Sequence, residues 1–285
     1  MTKKRAEHQD IRPLRILILN LMPNKITTET QLLRLLSNTP LQIEVTLIHM
    51  ESHVSKNTSE NHLAAFYRYW SDIKDQHFDG MIITGAPVEN LEFEAVDYWP
   101  ELCQIMDWSK KHVYSTLHIC WGAQAGLYHH FQILKYPLKQ KLSGIFSHTF
   151  KGKHIPLFKG FDDEFYVPHS RHTANHKSAI SKCKDLHILA ESKEAGACVA
   201  GSRDGRQLFI SGHFEYDRDT LKQEYFRDLK RGLFPHIPKN YFPEDNSRKK
   251  PVVKWHSYAN LLYYNWLNFY VYQETPFNID KVVKK

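Results

Sequence analysis

No stretch of this sequence approaches the roughly 18 consecutive apolar residues that a membrane span requires. Its opening, MTKKRAEHQDIRPLR, has no apolar core of the secretory-leader kind. A cytoplasmic protein without a membrane partner is expected. Cysteine is scarce: Cys103, Cys120, Cys183 and Cys198 stand far apart with no CxxC pair, which argues against a zinc ribbon or a dense disulfide scaffold and predicts free thiols. Twelve glycines and thirteen prolines are too few for a collagen-like or low-complexity chain. What is present is 285 residues, 13% of them aromatic, enough to bury a core without cross-links. Lys and Arg number 38 against 31 Asp and Glu, a formal charge of +7. These charges are spread thinly, in runs as short as Lys249-Lys250, without the one-sided aromatic and basic surface of a nucleic-acid binder. Nucleic acid is not expected, and a phosphate-bearing co-substrate suits the charge as well.

Apolar, β-branched runs at 12–22, 41–50, 78–85 and 112–120 read as strands buried on both faces. Segments with helical spacing lie between them: TTETQLLRLLSN, where Thr27 is placed to cap, NHLAAFYRYWSDIKDQ, and EAVDYWPELCQIMDWSKKH. Alternation at this spacing predicts an α/β fold with a doubly wound, mostly parallel sheet. The second half is less regular. A helix is expected from Trp121 to about Phe131, strands at LHILAES and QLFISGHFEY, and a helix through RDTLKQEYFRDLKRG. The aromatic segment SYANLLYYNWLNFYVYQET is apolar on more than one face and is either buried or set against a partner chain. PHIPKNYFPEDNSRKKPVV reads as a long surface loop. With no repeat and no long linker, the economical division is a polar tail at 1–10, one domain over 11–275 and a tail at 276–285.

Ligands of an open parallel sheet bind beyond the carboxyl ends of its strands. The sharpest turn there is HIC-WG-AQAGL: Cys120 ends a strand, Trp121-Gly122 turns, and a helix begins at once. This is the pattern of a nucleophile elbow, and the helix N-terminus favours a thiolate. Cys103 falls within a helix, and Cys183 and Cys198 fall in polar surroundings without such activation. A thiolate nucleophile needs a base and an orienter. ISGHFEYD offers His213 and Glu215 at i, i+2, a spacing that sets both on one face of a strand, with Glu215 fixing the imidazole tautomer.

The order Cys elbow, then His-x-Glu, resembles the flavodoxin-like class I glutamine amidotransferase fold. The surrounding segments resemble one branch of it, the homoserine O-acyltransferases of methionine biosynthesis. They are IRPLRILILNLMPNKITTETQLLRLLSNTPLQ, FDGMIITGAPVENLEFEAVDYW, STLHICWGAQAGL, KLSGIF, PHSRH, SGHFEYDRDTLKQEYFRD and NLLYYNWLNFYVYQ, which cover nearly the whole chain in order. The resemblance implies that Cys120 is the acylated nucleophile, His213 the proton acceptor and Glu215 its partner. It implies that Lys141, Ser170 and Arg227 hold the amino-acid acceptor and that Glu89 governs the choice of acyl-CoA. The oxyanion then falls to the Trp121 N–H and a second amide of the loop Gly85 to Val88. Acetyl-CoA is the expected co-substrate, no cofactor is bound permanently, and a homodimer is expected. The extension that family members carry before the IRPL strand is here a short polar tail. L-Serine, leading to cysteine biosynthesis, therefore stands beside L-homoserine as the acceptor. The two differ by one methylene, which a pocket separates by only ~1–3 kcal/mol.

A succinyl-CoA-using homologue and a glutamine-hydrolysing amidotransferase are the remaining readings. The second is disfavoured by His118, where such enzymes usually have Gly two residues before the cysteine. His129-His130 and His169-x-x-His172 lack a third ligand at a sensible spacing, so no metal is expected. Lys25, after the first strand, is a weak candidate for a CoA phosphate. Ser170, taken alone, is a loop hydroxyl.

Overall fold

The computed structural model describes residues 12–55, 57–152 and 154–281. The expected tail at 1–10 lies outside them. In chain order the elements are β1 (Leu14–Leu19), α1 (Lys25–Leu36), β2 (Ile43–Ile48), α2 (Glu60–Phe66), β3 (Tyr67–Arg68), β4 (Phe78–Ile83), α3 (Trp99–His112), β5 (Val113–Ile119) and α4 (Trp121–Phe131). The second half adds β6 (Lys135–Phe150), β7 (Phe165–Asn175), α5 (Lys177–Lys182), β8 (Leu186–Ser192), β9 (Gly196–Ser202), β10 (Gln207–Ile210), α6 (Thr220–Lys230) and α7 (His256–Asn265).

The ten strands of the described residues join one sheet in the order β3-β2-β1-β4-β5-β10-β9-β8-β6-β7. From β3 to β10 the neighbours are parallel. Beyond β10 each pairing is antiparallel. The α/β, mostly parallel sheet is as the sequence predicts. Its four apolar runs are β1, β2, β4 and β5, and alternation within β1 shows why they look continuous. Leu14, Ile16 and Ile18 pack on one side with Leu32, Leu35 and Leu36 of α1, while Leu17 and Leu19 pack on the other with Leu102, Ile105 and Met106 of α3. Both faces are covered, so both sets of side chains must be apolar.

Several local expectations change. Asn24, not Thr27, caps α1, its side chain accepting from the Thr27 N–H. The helix expected through 61–76 stops at Phe66, because Tyr67 turns extended and buries its hydroxyl between Asn20 and Glu29, pairing β3 with the end of β2. The strand expected through 207–216 ends at Ile210, where the chain turns against β7 and the His213 N–H donates to Pro168 O at 2.8 Å. The aromatic segment is core: Leu262 and Tyr263 of α7, and Trp266 and Leu267 of its wider-wound continuation Trp266–Tyr272, are buried against β1 and α1. The long loop at 235–253 is anchored by buried Tyr241 and Phe242. Pro276 and Phe277, at the start of the expected tail 276–285, are tied down: the Arg12 guanidinium donates to both carbonyls while holding Asp79.

Candidate active site

Cys120 follows β5 with φ 49° and ψ −114° and leads straight into α4. A positive φ at a non-glycine residue is strained, and the surroundings impose it. The Cys120 N–H donates to Ile210 O at 2.7 Å, and its carbonyl accepts from Gln124 N–H at 3.1 Å. Two residues on, only glycine fits. A Cβ on Gly122 would lie 2.5 Å from Thr84 O and 2.9 Å from Ile83 O, so the helix start presses directly on the end of β4. Gly85 lies on the other side of the turn, where a Cβ would be 3.3 Å from Cys120 Cβ and 3.7 Å from Trp121 N. The backbone of the 85–88 loop and the first turn of α4 therefore flank the Cys120 side chain.

β10 ends beside β5 and delivers His213 and Glu215. The imidazole Nδ1 is 2.6 Å from Glu215 Oε1, and His213 and Cys120 line the same cavity. His213 and Glu215 are 4% and 6% exposed, so this contact is shielded from water. Burial works to lower the His213 pKa, but Cys120 and Glu215 outweigh it and hold the imidazole well above the usual histidine range. His213 and Glu215 do meet, but not as their spacing suggested: a turn after the strand, not a strand face, aligns them.

Tyr216 stacks on His213 with ring centroids 4.1 Å apart and donates to Glu224 Oε1 at 2.8 Å. Burial, with Glu224 and Glu215 close by, pushes this phenol well up, so it stays a donor. The other Glu224 oxygen accepts from Ser170 Oγ. Lys141 Nζ lies 2.8 Å from Asp228 Oδ2 and 4.0 Å from Glu224 Oε2. The Arg227 Nε and Nη2 donate to Asp228 Oδ1 at 3.0 and 2.9 Å. Lys141, Ser170 and Arg227, far apart in sequence, are thereby gathered by two acids of α6. Ser170 is not a loop hydroxyl, since it sits within β7. Glu89 is no idle surface carboxylate: its Oε2 accepts the His172 N–H at 2.8 Å.

Two cavities of about 280 and 310 Å³ share Met22, Gly85, His213, Tyr216, Glu224 and Arg227. The first holds Cys120, Glu89, Lys141 and Ser170, and the second runs between α1 and α6. They meet at the Cys-His pair.

Residues 1–277 match the family model described as homoserine O-succinyltransferase. The chain belongs to this family. Its relatives include the homoserine O-acetyltransferases of Brevibacillus brevis, 59% identical over 98% of this chain and 92% of that protein, and of Acetivibrio thermocellus, 60% identical over 99% and 92%. In fold it is similar to a glutamine amidotransferase of Thermotoga maritima, with TM-score 0.58 and 12% identity over 90% of this chain and 98% of that one. A glutamine amidotransferase of Methylobacillus flagellatus is similar too, with TM-score 0.56 and 12% identity over 91% and 95%.

Sequence reasoning missed two residues of the candidate site, Glu224 and Tyr216. A signal for the first was available, because Glu224 and Asp228 recur at i, i+4 beside Leu221, on the stripe of α6 that turns inward. Other expectations move. Cys198 is not in polar surroundings but buried in β9, its thiol pushed up to about 12 by burial, and Cys103 is pushed up to about 11. Cys183 packs partly buried beside Ile180 and Leu186. Lys25 is buried as the first residue of α1, with Nζ 2.6 Å from Asn20 O, and burial lowers it to about 8. It does not face the site. His118 points into the core, where its Nε2 meets Gln207 Oε1 at 2.8 Å, and burial lowers it to about 4. His169 meets His148 at 3.1 Å, with Cys198 near both, rather than His172. His129 and His130 gather with Asp107.

The coupling of His213 to Cys120 is testable by pH titration. In the wild type the imidazole should titrate above the ~6.5 of a free histidine. In Cys120→Ala one of the groups that raise it is gone while burial still opposes the charge, so the midpoint should fall. Nitrogen-15 NMR of labelled histidine reads both, and equal midpoints would show that the pair is not coupled.

Proposed function

We propose that the chain is an L-homoserine O-acetyltransferase that moves acetyl from acetyl-CoA through an acyl-cysteine on Cys120, giving O-acetyl-L-homoserine for methionine biosynthesis. The observation that carries this reading is about 60% identity to homoserine O-acetyltransferases over nearly the whole chain. The site supplies a group for each step.

Cys120 attacks the thioester carbon, and the oxyanion is taken by the Trp121 N–H and an amide of the 85–88 loop. The carbonyl re-forms, the C–S bond to CoA breaks, and the His213 proton goes to the departing thiolate. Acylation removes the charge of Cys120 and with it part of what holds the His213 pKa up. The imidazole becomes a base at the moment one is needed. It takes the proton of the acceptor hydroxyl as the oxygen attacks the acyl carbon, and collapse releases the ester and regenerates the Cys120 thiolate. Glu215 holds the ring through Nδ1. Among the acceptor's groups, the carboxylate suits the outer edge of Arg227, left free by Asp228. The ammonium suits Glu224, whose second partner is Ser170. Lys141 balances the two acids.

Glu89 accounts for acetyl over succinyl. A succinyl carboxylate in the Cys120 cavity would meet the Glu89 carboxylate, at a cost of roughly 1–4 kcal/mol for two charges 4 Å apart. Glu89 also occupies the His172 N–H, which would otherwise be a donor for that same carboxylate.

The reading is tested by kcat/KM for L-homoserine and L-serine with acetyl-CoA as donor. Homoserine should be preferred, and a preference for serine of about tenfold, or 1.4 kcal/mol, would replace it. For the donor, Glu89→Gly should raise succinyl-CoA use relative to acetyl-CoA by about tenfold or more, and the exposed control Glu92→Gly should not. An unchanged ratio in Glu89→Gly, or a wild type that prefers succinyl-CoA, would refute charge exclusion.

A further inference from the structure

The inward stripe of α6 carries acids, and its outward stripes carry cations around an exposed aromatic ring. Lys222, Phe226 and Lys230 follow one another at i, i+4, i+8 on one line, and Gln223, Arg227 and Arg231 on the next. These six residues, with Asp219 at one end, line an open groove. Phe226 is 37% exposed, with the Tyr225 ring set edge-on beside it at 5.3 Å between centroids. Among the described residues Lys222, Lys230 and Arg231 take part in no ion pair, and Asp219 is the one carboxylate of the groove. Lys230 and Arg231 suit the negative C-terminal end of a helix, but Lys222 stands in its first turn, where the helix dipole disfavours a cation. Helix stability therefore does not explain the set.

The groove is also continuous with the reaction centre. Gln223 and Arg227 belong both to it and to the cavity between α1 and α6, while Arg227 and Arg231 belong both to it and to the Cys120 cavity. A ligand that reaches Cys120 from this side lies along α6, apolar ring and cations together. That is the chemistry of a purine nucleotide bearing several phosphates: the base stacks on an aromatic face, and the phosphates take lysine and arginine donors.

We propose that the outer face of α6, with Phe226 flanked by Lys222, Lys230 and Arg231, seats the 3′-phosphorylated ADP end of the acyl-CoA donor while its thioester lies at Cys120. The assignment rests on the acetyl-CoA-dependent reading above and names the part of the donor that the catalytic cavities leave unheld.

The test compares two donors, acetyl-CoA and acetyl-pantetheine, which keeps the thioester arm and lacks the nucleotide. In the double variant Lys222→Ala/Lys230→Ala, and separately in Phe226→Ala, KM for acetyl-CoA should rise at least tenfold with kcat within twofold. Both constants for acetyl-pantetheine should stay unchanged. Equal losses with both donors, or no loss with either, would overturn the assignment. Calorimetry with adenosine 3′,5′-bisphosphate gives a readout that needs no turnover: the wild type should bind it, and the double variant at least tenfold more weakly. If the wild type binds the bisphosphate but turns over no acetyl-CoA, the acetyltransferase reading falls and the groove stands. If the wild type does not bind it, or the variants bind it as well as the wild type, the groove assignment falls.

Discussion

The site depends on holding one cysteine in a backbone conformation that side-chain-bearing residues avoid. Such a residue costs about 1–3 kcal/mol and persists only where its surroundings over-determine it. Here they do. The parallel pairing of β5 with β10 supplies Ile210 O for the Cys120 N–H, and Gly122 lets the start of α4 close on Thr84 O. Gly85 then lies against the same turn. The same contacts set the side chain beyond the sheet, between the first turn of a helix and a loop backbone, with His213 delivered by the neighbouring strand. Position and electrostatic setting arise together from one turn.

The second constraint is charge balance in a space with little water. A buried ion without a partner is costly, so cations brought near the reaction centre need acids. α6 supplies them from its inward stripe. Asp228 serves Lys141 and Arg227, and Glu224 serves Ser170 and Tyr216, which in turn stacks on His213. The proposed acceptor side and the proposed catalytic base are thus joined by one run of polar contacts. In this run α6 has opposite electrical faces: acids inward, cations outward.

Much of this was legible in the sequence where a residue's surroundings are set by its near neighbours. The strands β1, β4 and β5 are visible because both their faces are covered, and the elbow is visible because strand, Cys, Gly and helix follow without a gap. The resemblance of long segments carried Lys141, Ser170 and Arg227, which spacing alone would have left as surface charges and a loop hydroxyl. The hairpin of β6 and β7 was not visible, since KYPLKQKLSGIFSHTF alternates polar and apolar irregularly and its register shifts between Pro137 and Leu142. The two-residue strand β3 was hidden because a long-range bond of Tyr67, not local propensity, ends the preceding helix. His213 and Glu215 show a subtler gap. Two residues apart in sequence fits a strand face and a tight turn alike, and only the contact of the turn with β7 decides between them.

The claim on which the rest stands is that Cys120 carries the acyl group. Incubation with acetyl-CoA and no acceptor, followed by peptide mass analysis, tests it directly. One acetyl group should be found on the peptide containing Cys120, with Cys103, Cys183 and Cys198 unmodified, and it should disappear when homoserine is added. Acetyl on another cysteine, or full turnover by Cys120→Ala, would contradict the account.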